Sequence, residues 1–170
     1  MTAESIRAIR IFVAGLGAVG RRFLGLMVSQ ERLLATRYGL RLLLVGAADS
    51  SGAALATDGL DPARIVAMKE AREGVGGYPA AGRPGLAARD ALAAAAAELL
   101  VEATPTNLRD AQPGLGCIRD ALARGIPVVT ASKGPLVLAY GELAAAAARA
   151  GVRLAFSAAV AGGLPTVNLG

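Results

Sequence analysis

The stretch IFVAGLGAVGRRF, residues 11–23, limits the folds open to this chain more than any other. An apolar run, IRIFVAG (9–15), leads straight into Gly15-Leu16-Gly17-Ala18-Val19-Gly20, and a segment of helical composition follows. A strand that passes into a helix through G-x-G-x-x-G near the start of a chain belongs to a strand–helix–strand unit. Each glycine then has its own task. Gly15 allows a tight turn, Gly17 lets the backbone approach a pyrophosphate, and Gly20 lets the helix lie close to the strand. Backbone N–H groups along Leu16, Ala18 and Val19, at the helix start, suit a negative charge. The same spacing with no ligand would be a tight strand–helix turn; the strand before it and the helix after it favour dinucleotide binding.

Further along, RLLLVGAA (41–48), ELLVEA (98–103) and IPVVTA (126–131) read as buried strands, with a weaker run at VRLAFSA (152–158). Helical stretches fall between them at 18–36, 62–74, 86–96, 113–124 and 140–150. Asp61 and Pro62 mark one helix start, with Gly74 at its close, and Gly125 marks another helix end. Continuous apolar strands alternating with helices predict an α/β fold: a Rossmann-type doubly wound parallel sheet with helices on both faces. The segment GVGGYPAAGRPG (74–85) reads as an exposed loop. With 170 residues, the whole chain, 1–170, fits one dinucleotide-binding domain.

Composition removes several other classes. A hydrophobic fraction of 54% against 18% charged residues excludes a disordered chain. No apolar run reaches membrane-spanning length uninterrupted, and MTAESIRAIRIFVAG enters a strand too soon for a secretory leader. Cys117 is the sole cysteine, so no internal disulfide forms and a cytoplasmic location is expected. The net charge of +5 comes from arginines spread along the chain, without the aromatic interleaving of nucleic-acid binders. A positive surface also suits an anionic small molecule. There is no histidine, so proton transfer near neutral pH falls to a carboxylate, lysine, tyrosine or the cysteine.

The second strand ends in GAADSSG, which places Asp49 and Ser50 at the carboxyl edge of the sheet, the usual seat of groups that bind an adenosine ribose. The gap from Gly20 is long because VSQERLLATRYG extends the helix. An acidic group there repels a 2′-phosphate, which tips the expectation between NAD and NADP toward NAD. Ser50, Ser51 or a nearby arginine would accommodate the phosphate instead, and Asp49 could also serve only as a turn residue.

Three stretches, VEATPTN (101–107), IPVVTASKGPL (126–136) and FSAAVAGGLPTV (156–167), in this order after the glycine turn, resemble homoserine dehydrogenase. ADSSGA (48–53) is similar to the end of that family's second strand. The resemblance implies NAD- or NADP-dependent interconversion of L-homoserine and L-aspartate 4-semialdehyde, in the aspartate pathway to threonine and methionine. It implies that Thr104 lies on the nicotinamide side of the cofactor. Lys133 matches the lysine that contacts the nicotinamide end and assists proton transfer, with Ser132 where asparagine is more usual. AVAGGLP (159–165) matches the segment leading toward a substrate domain, so 155–170 is expected to begin that connection. Backbone oxygens of Val160 and Gly162 match carbonyls that hold a monovalent cation in many members. The family's glutamate there is Ser157 in this chain, which weakens a metal site. The resemblance further implies that a small amino-acid substrate and a homodimer contact belong to a region beyond Gly170 and that the chain alone is inactive; an excised nucleotide domain and a naturally short relative both stay open.

Lys133 stands out for another reason. Of 18 basic side chains only Lys69 and Lys133 are lysines. An amine can give up and regain a proton where burial or positive neighbours favour its neutral form; a guanidinium stays charged. Two alternatives to the dehydrogenase stay open: a non-catalytic dinucleotide-binding or regulatory module, and a semialdehyde dehydrogenase of another type with Cys117 as nucleophile. The apolar helical setting of Cys117 and the lack of histidine favour a buried core thiol. Glu102 is either a group near the cofactor or a satisfied edge carboxylate; Tyr140 and Glu142 read as structural.

Overall fold

The computed structural model describes residues 6–159. Its centre is strand β1 (Arg7–Ala14), whose side chains alternate between two cores. Ile11 and Val13 face one layer, with Leu24 and Met27 of helix α1 (Ala18–Ser29) and Ile65 of α3 (Pro62–Glu70). Phe12 and Ala14 face the other, with Leu92 of α4 (Ala88–Ala94), Ile118 and Leu122 of α5 (Gly114–Ala123), and Leu143 of α6 (Lys133–Ala150). Two separate cores on one strand require helices on both faces, as the apolar runs predict.

The strand order is β4-β3-β2-β1-β5-β6-β7. Strand β2 (Leu40–Asp49) and strand β5 (Leu99–Glu102) flank β1 in parallel, and β6 (Val128–Thr130) and β7 (Leu154–Ala155) continue the parallel side. The chain therefore leaves β1 in one direction and returns in the other, so the loops after β1 and β5 diverge at a crevice.

The far edge departs from the expected all-parallel sheet. Strands β3 (Gly52–Leu55) and β4 (Gly82–Pro84) add to it antiparallel, and residues 74–85 are not an exposed loop. Val75 and Gly76 are buried in a 3₁₀ turn (Val75–Gly77). The glycines taken as loop signals permit close approach: a Cβ on Gly82 would lie 2.3 Å from the Gly76 carbonyl oxygen, and one on Gly76 would lie 2.7 Å from that of Ser51.

The other boundary differences are local. The expected helix 18–36 breaks at Gln30 (φ −106°, ψ 4°), and α2 (Glu31–Tyr38) then runs on with no buried residue. Helix α3 has its Asp61 cap, with the carboxylate accepting from Ala63 N–H at 2.9 Å, but ends at Glu70, before Gly74. Helix α6 starts at Lys133 instead of 140: Pro135 falls in the first turn, where its missing N–H deprives no carbonyl of a partner, and a kink at Ala139 marks the expected boundary. Surface forks join the outer helices, Arg89 to Asp120 at 2.7 and 2.9 Å and Arg119 to Glu142 at 2.7 and 2.6 Å, which gives Glu142 its structural role.

A Cβ at position 20 would lie 2.0 Å from the Gly15 carbonyl oxygen, whereas one at position 17 meets nothing within 4 Å. Gly20→Ala should therefore lower stability by about 1–3 kcal/mol, and Gly17→Ala should change it little. Urea unfolding of the two variants checks this contrast.

Candidate functional site

The turn after β1 is pinned on both sides. Gly15 adopts φ +95°, a conformation that suits glycine, and its N–H donates to Ala48 O at the end of β2 at 2.8 Å. On the other side, Ala103 N–H donates to Ala14 O at 2.7 Å, and a Cβ on Gly15 would sit 2.4 Å from the Ala103 carbonyl. Beyond the turn, Gly17 is the N-cap of α1 with no side chain capping it, and the first turn carries no acidic residue. Gly17, Ala18 and Val19 are exposed. The helix start thus presents backbone donors and the positive end of its dipole to open space.

This turn forms one wall of a cleft of about 620 Å³ at the carboxyl edge of the sheet. Gly15, Leu16 and Gly17 line it together with Asp49, Ser50 and Thr104, so six residues singled out from the sequence meet here. Ala48, Gly52, Lys69, Pro105, Pro113 and the segment Gly85–Ala88 complete the lining, and none of these was read as a site residue. Ala18 and Val19 lie in the first turn of α1, and Gly20 is buried beneath it. Lys133 does not line this cleft. It is the exposed first residue of α6, at the carboxyl end of the neighbouring strand β6. The candidate cation ligands Val160 and Gly162 lie outside the described residues.

Asp49 is not the free acid expected at the ribose edge. Its Oδ1 accepts from Ser51 N–H at 2.8 Å and Ser51 Oγ–H at 2.5 Å; its Oδ2 accepts from Lys69 Nζ at 2.6 Å and Val75 N–H at 3.3 Å. The carboxylate is 9% exposed and the lysine side chain 20%. Burial works to raise the Asp49 carboxyl, but the bonds from Lys69, Ser51 and Val75 together outweigh it and hold it below its ordinary range. The pair brings a positive charge to the same wall, which removes the electrostatic argument for NAD over NADP. Its sequence signal was available: Lys69 is one of only two lysines and lies on the helix that Asp61 and Pro62 start.

The opposite wall is built on Glu102. The side chain is fully buried at the end of β5, and it links that strand end to the end of β6. Oε1 accepts from Thr104 N–H at 2.8 Å, Thr104 Oγ–H at 2.5 Å and Ser132 Oγ–H at 2.9 Å, and Oε2 accepts from Thr130 Oγ–H at 2.5 Å. Thr104, Glu102 and Ser132 thus form a buried chain from the cleft wall to the residue before Lys133. Asn107 braces its own loop, accepting from Arg109 N–H at 2.9 Å and donating to Asp110 at 2.6 Å.

Cys117 is fully buried on α5. Burial, followed by the negative charges of Glu102 and Asp120, pushes its thiol up to about 12. A thiol held protonated in the core is no nucleophile at neutral pH, which removes the Cys117 route to a semialdehyde dehydrogenase.

A mixed α/β sheet with a glycine turn at its switch point, an open helix start and a cleft along the strand ends defines a dinucleotide-binding domain. Comparison with known proteins agrees: the family model described as homoserine dehydrogenase, NAD binding domain, matches residues 15–157. The chain belongs to the homoserine dehydrogenase family, as its NAD-binding domain. The homoserine dehydrogenase of Methanocaldococcus jannaschii is 35% identical over 159 residues, covering 94% of this chain and 47% of the relative. An NAD(+)-dependent homoserine dehydrogenase of Pseudomonas canavaninivorans is 29% identical over 161 residues, covering 94% of this chain and 46% of the relative. The crystal structure of the Thermoplasma acidophilum homoserine dehydrogenase superposes with a TM-score of 0.80 at 28% identity, over 96% of this chain and 47% of that one. The chain spans about half the length of the relatives it matches. Among the described residues no helix is long and apolar enough to cross a membrane.

Two outcomes follow from these burials. Because the folded Asp49 carboxyl sits below its unfolded value, its contribution to stability is complete above the ordinary carboxylate range and is lost as pH falls through the folded value. Lys69→Met should flatten part of the acid-side loss in a stability-against-pH series. Cys117 should react with a thiol reagent at neutral pH only at the rate of unfolding, and at once in denaturant, as timed labelling reads directly.

Proposed function

We propose that the cleft holds a nicotinamide dinucleotide and that the domain serves the interconversion of L-homoserine and L-aspartate 4-semialdehyde. The observation that carries the first part is the open side of Gly17 at an uncapped helix start on the cleft wall, a place that any side chain would narrow. N–H groups of the Gly15–Val19 turn would hold the pyrophosphate. The Asp49–Lys69 edge, with Ser50, would face the adenosine ribose; an acid and a base side by side there suit either NAD or NADP. Thr104 would border the nicotinamide.

When bound, the dinucleotide supplies the hydride acceptor or donor. The protein's own part is to orient the alcohol and accept its proton as the hydride leaves. Lys133 Nζ is the group proposed for that proton, and in the reverse direction it returns the proton to the aldehyde oxygen. Support comes from its position at the carboxyl end of β6 and from its link through Ser132 and Glu102 to Thr104 on the cleft wall. The exposure of Lys133 in this domain is consistent with a site closed by a further part of the protein that brings the amino-acid substrate. A homodimer and a cytoplasmic location belong to the same reading. The chain by itself would bind the dinucleotide without turnover.

Calorimetry of the chain with NAD and with NADP should show binding of at least one. In the full-length protein, Lys133→Ala should lower turnover of homoserine about 100-fold or more. Survival of turnover within a few-fold would remove Lys133 from the proton transfer.

A further inference from the structure

The chain buries a second carboxylate beside the cleft, and unlike Asp49 it has no cation. Among the described residues no lysine or arginine forms an ion pair with Glu102. Taking a carboxylate out of water carries a penalty of several kcal/mol, and an apolar side chain would fill the same strand end without it. What offsets the penalty is on the page. Thr104 N–H, Thr104 Oγ–H and Thr130 Oγ–H all aim their protons at the carboxylate. Thr130 Oγ in turn accepts Ser132 N–H at 3.1 Å, which leaves its own proton for Glu102. These three donors satisfy the ionised form whichever way the Ser132 hydroxyl turns, to Glu102 or to Thr104 O at 2.7 Å. The start of α5 also abuts the group: a Cβ on Gly114 would lie 2.7 Å from Glu102 Oε1 and 2.8 Å from Thr104 Oγ. A helix N-terminus packed against a carboxylate favours a negative charge there.

The result is a carboxylate held by hydrogen-bond donors, with no cation partner among the described residues, directly behind Thr104 of the cleft wall. A nicotinamide ring is positively charged when oxidised and neutral when reduced. A negative charge close to it in a poorly solvated wall therefore favours the oxidised form. We propose that Glu102 is a positioning residue of the redox site, which holds Thr104 and the Ser132–Lys133 start of α6 in one register and biases the domain toward the oxidised dinucleotide. This rests on the reading of Thr104 as the nicotinamide side of the cleft.

The test is direct binding of oxidised and reduced dinucleotide to the chain, with folding checked by circular dichroism and thermal unfolding. Glu102→Gln keeps the size and removes the charge. It should shift the ratio of the two dissociation constants toward the reduced form by on the order of threefold to tenfold. Glu102→Asp keeps the charge and should hold the wild-type ratio within about twofold, even where both affinities fall. A merely structural role would weaken both forms alike and leave the ratio where it was. Glu102→Met with Thr130→Val, which replaces the acid and one donor by apolar groups, serves if the glutamine variant does not fold. An unchanged ratio in a folded charge-free variant, or the same shift in the aspartate variant, overturns the proposal. Failure of the wild-type chain to bind either form would instead overturn the reading of the cleft on which it rests.

Discussion

The turn after β1 has backbone on every side. Gly15 N–H is held by Ala48 at the end of β2, the Gly15 Cα faces the Ala103 carbonyl after β5, and the Gly15 carbonyl nearly touches Gly20 in α1. One tripeptide corner thus locks two strand ends and a helix start together. The crevice exists because the corner is this tight: a larger residue at 15 or 20 would drive α1 outward and separate the donors that face the cleft.

Two carboxylates stand at that crevice, Asp49 half-buried in its lining and Glu102 buried behind Thr104, and their oxygens are satisfied by different means. Asp49 takes a lysine, a hydroxyl and two backbone amides, and so places a balanced pair at one end. Glu102 takes hydroxyls, an amide and a helix start, and has no cation partner among the described residues. In the proposed binding mode a dinucleotide would lie between the Asp49–Lys69 pair and the Thr104 wall that Glu102 backs. The same residue types with exchanged partners would make a different site, since it is the partners that decide how much field each acid projects.

Much of the fold was legible because its signals are local. Apolar runs long enough to be strands, the Asp61–Pro62 helix start and the glycine turn each depend on neighbours in sequence. The antiparallel edge was not legible. GAAL and GRP carry little strand preference, and they pair because glycines let the backbone of 74–85 settle onto Ser51 and Gly52. The start of α6 was read too late because Gly134 and Pro135 look like a loop; Gly134 is there because a Cβ would lie 2.4 Å from the Asn107 carbonyl oxygen. Of the site, the glycine turn, Asp49 and Ser50 could be read from position, and Thr104 from the resemblance that VEATPTN carries. Lys69 offered only its rarity as a lysine, since its partner lies twenty residues away on another element.

By itself the sequence determined the class of fold, the family, the open helix start after β1 and the strand ends that border the cleft. The fold and the helix start follow from periodicity and from glycines at fixed spacing, the family from the stretches that resemble it, and each of these signals acts over a few residues. Only the tertiary structure decided that Asp49 is already paired, that Cys117 is sealed in the core, and that Glu102 joins Thr104 to the threshold of Lys133. Charge and reactivity depend on burial and on partners brought together across the sheet, and neither is a property of a residue's place in the chain.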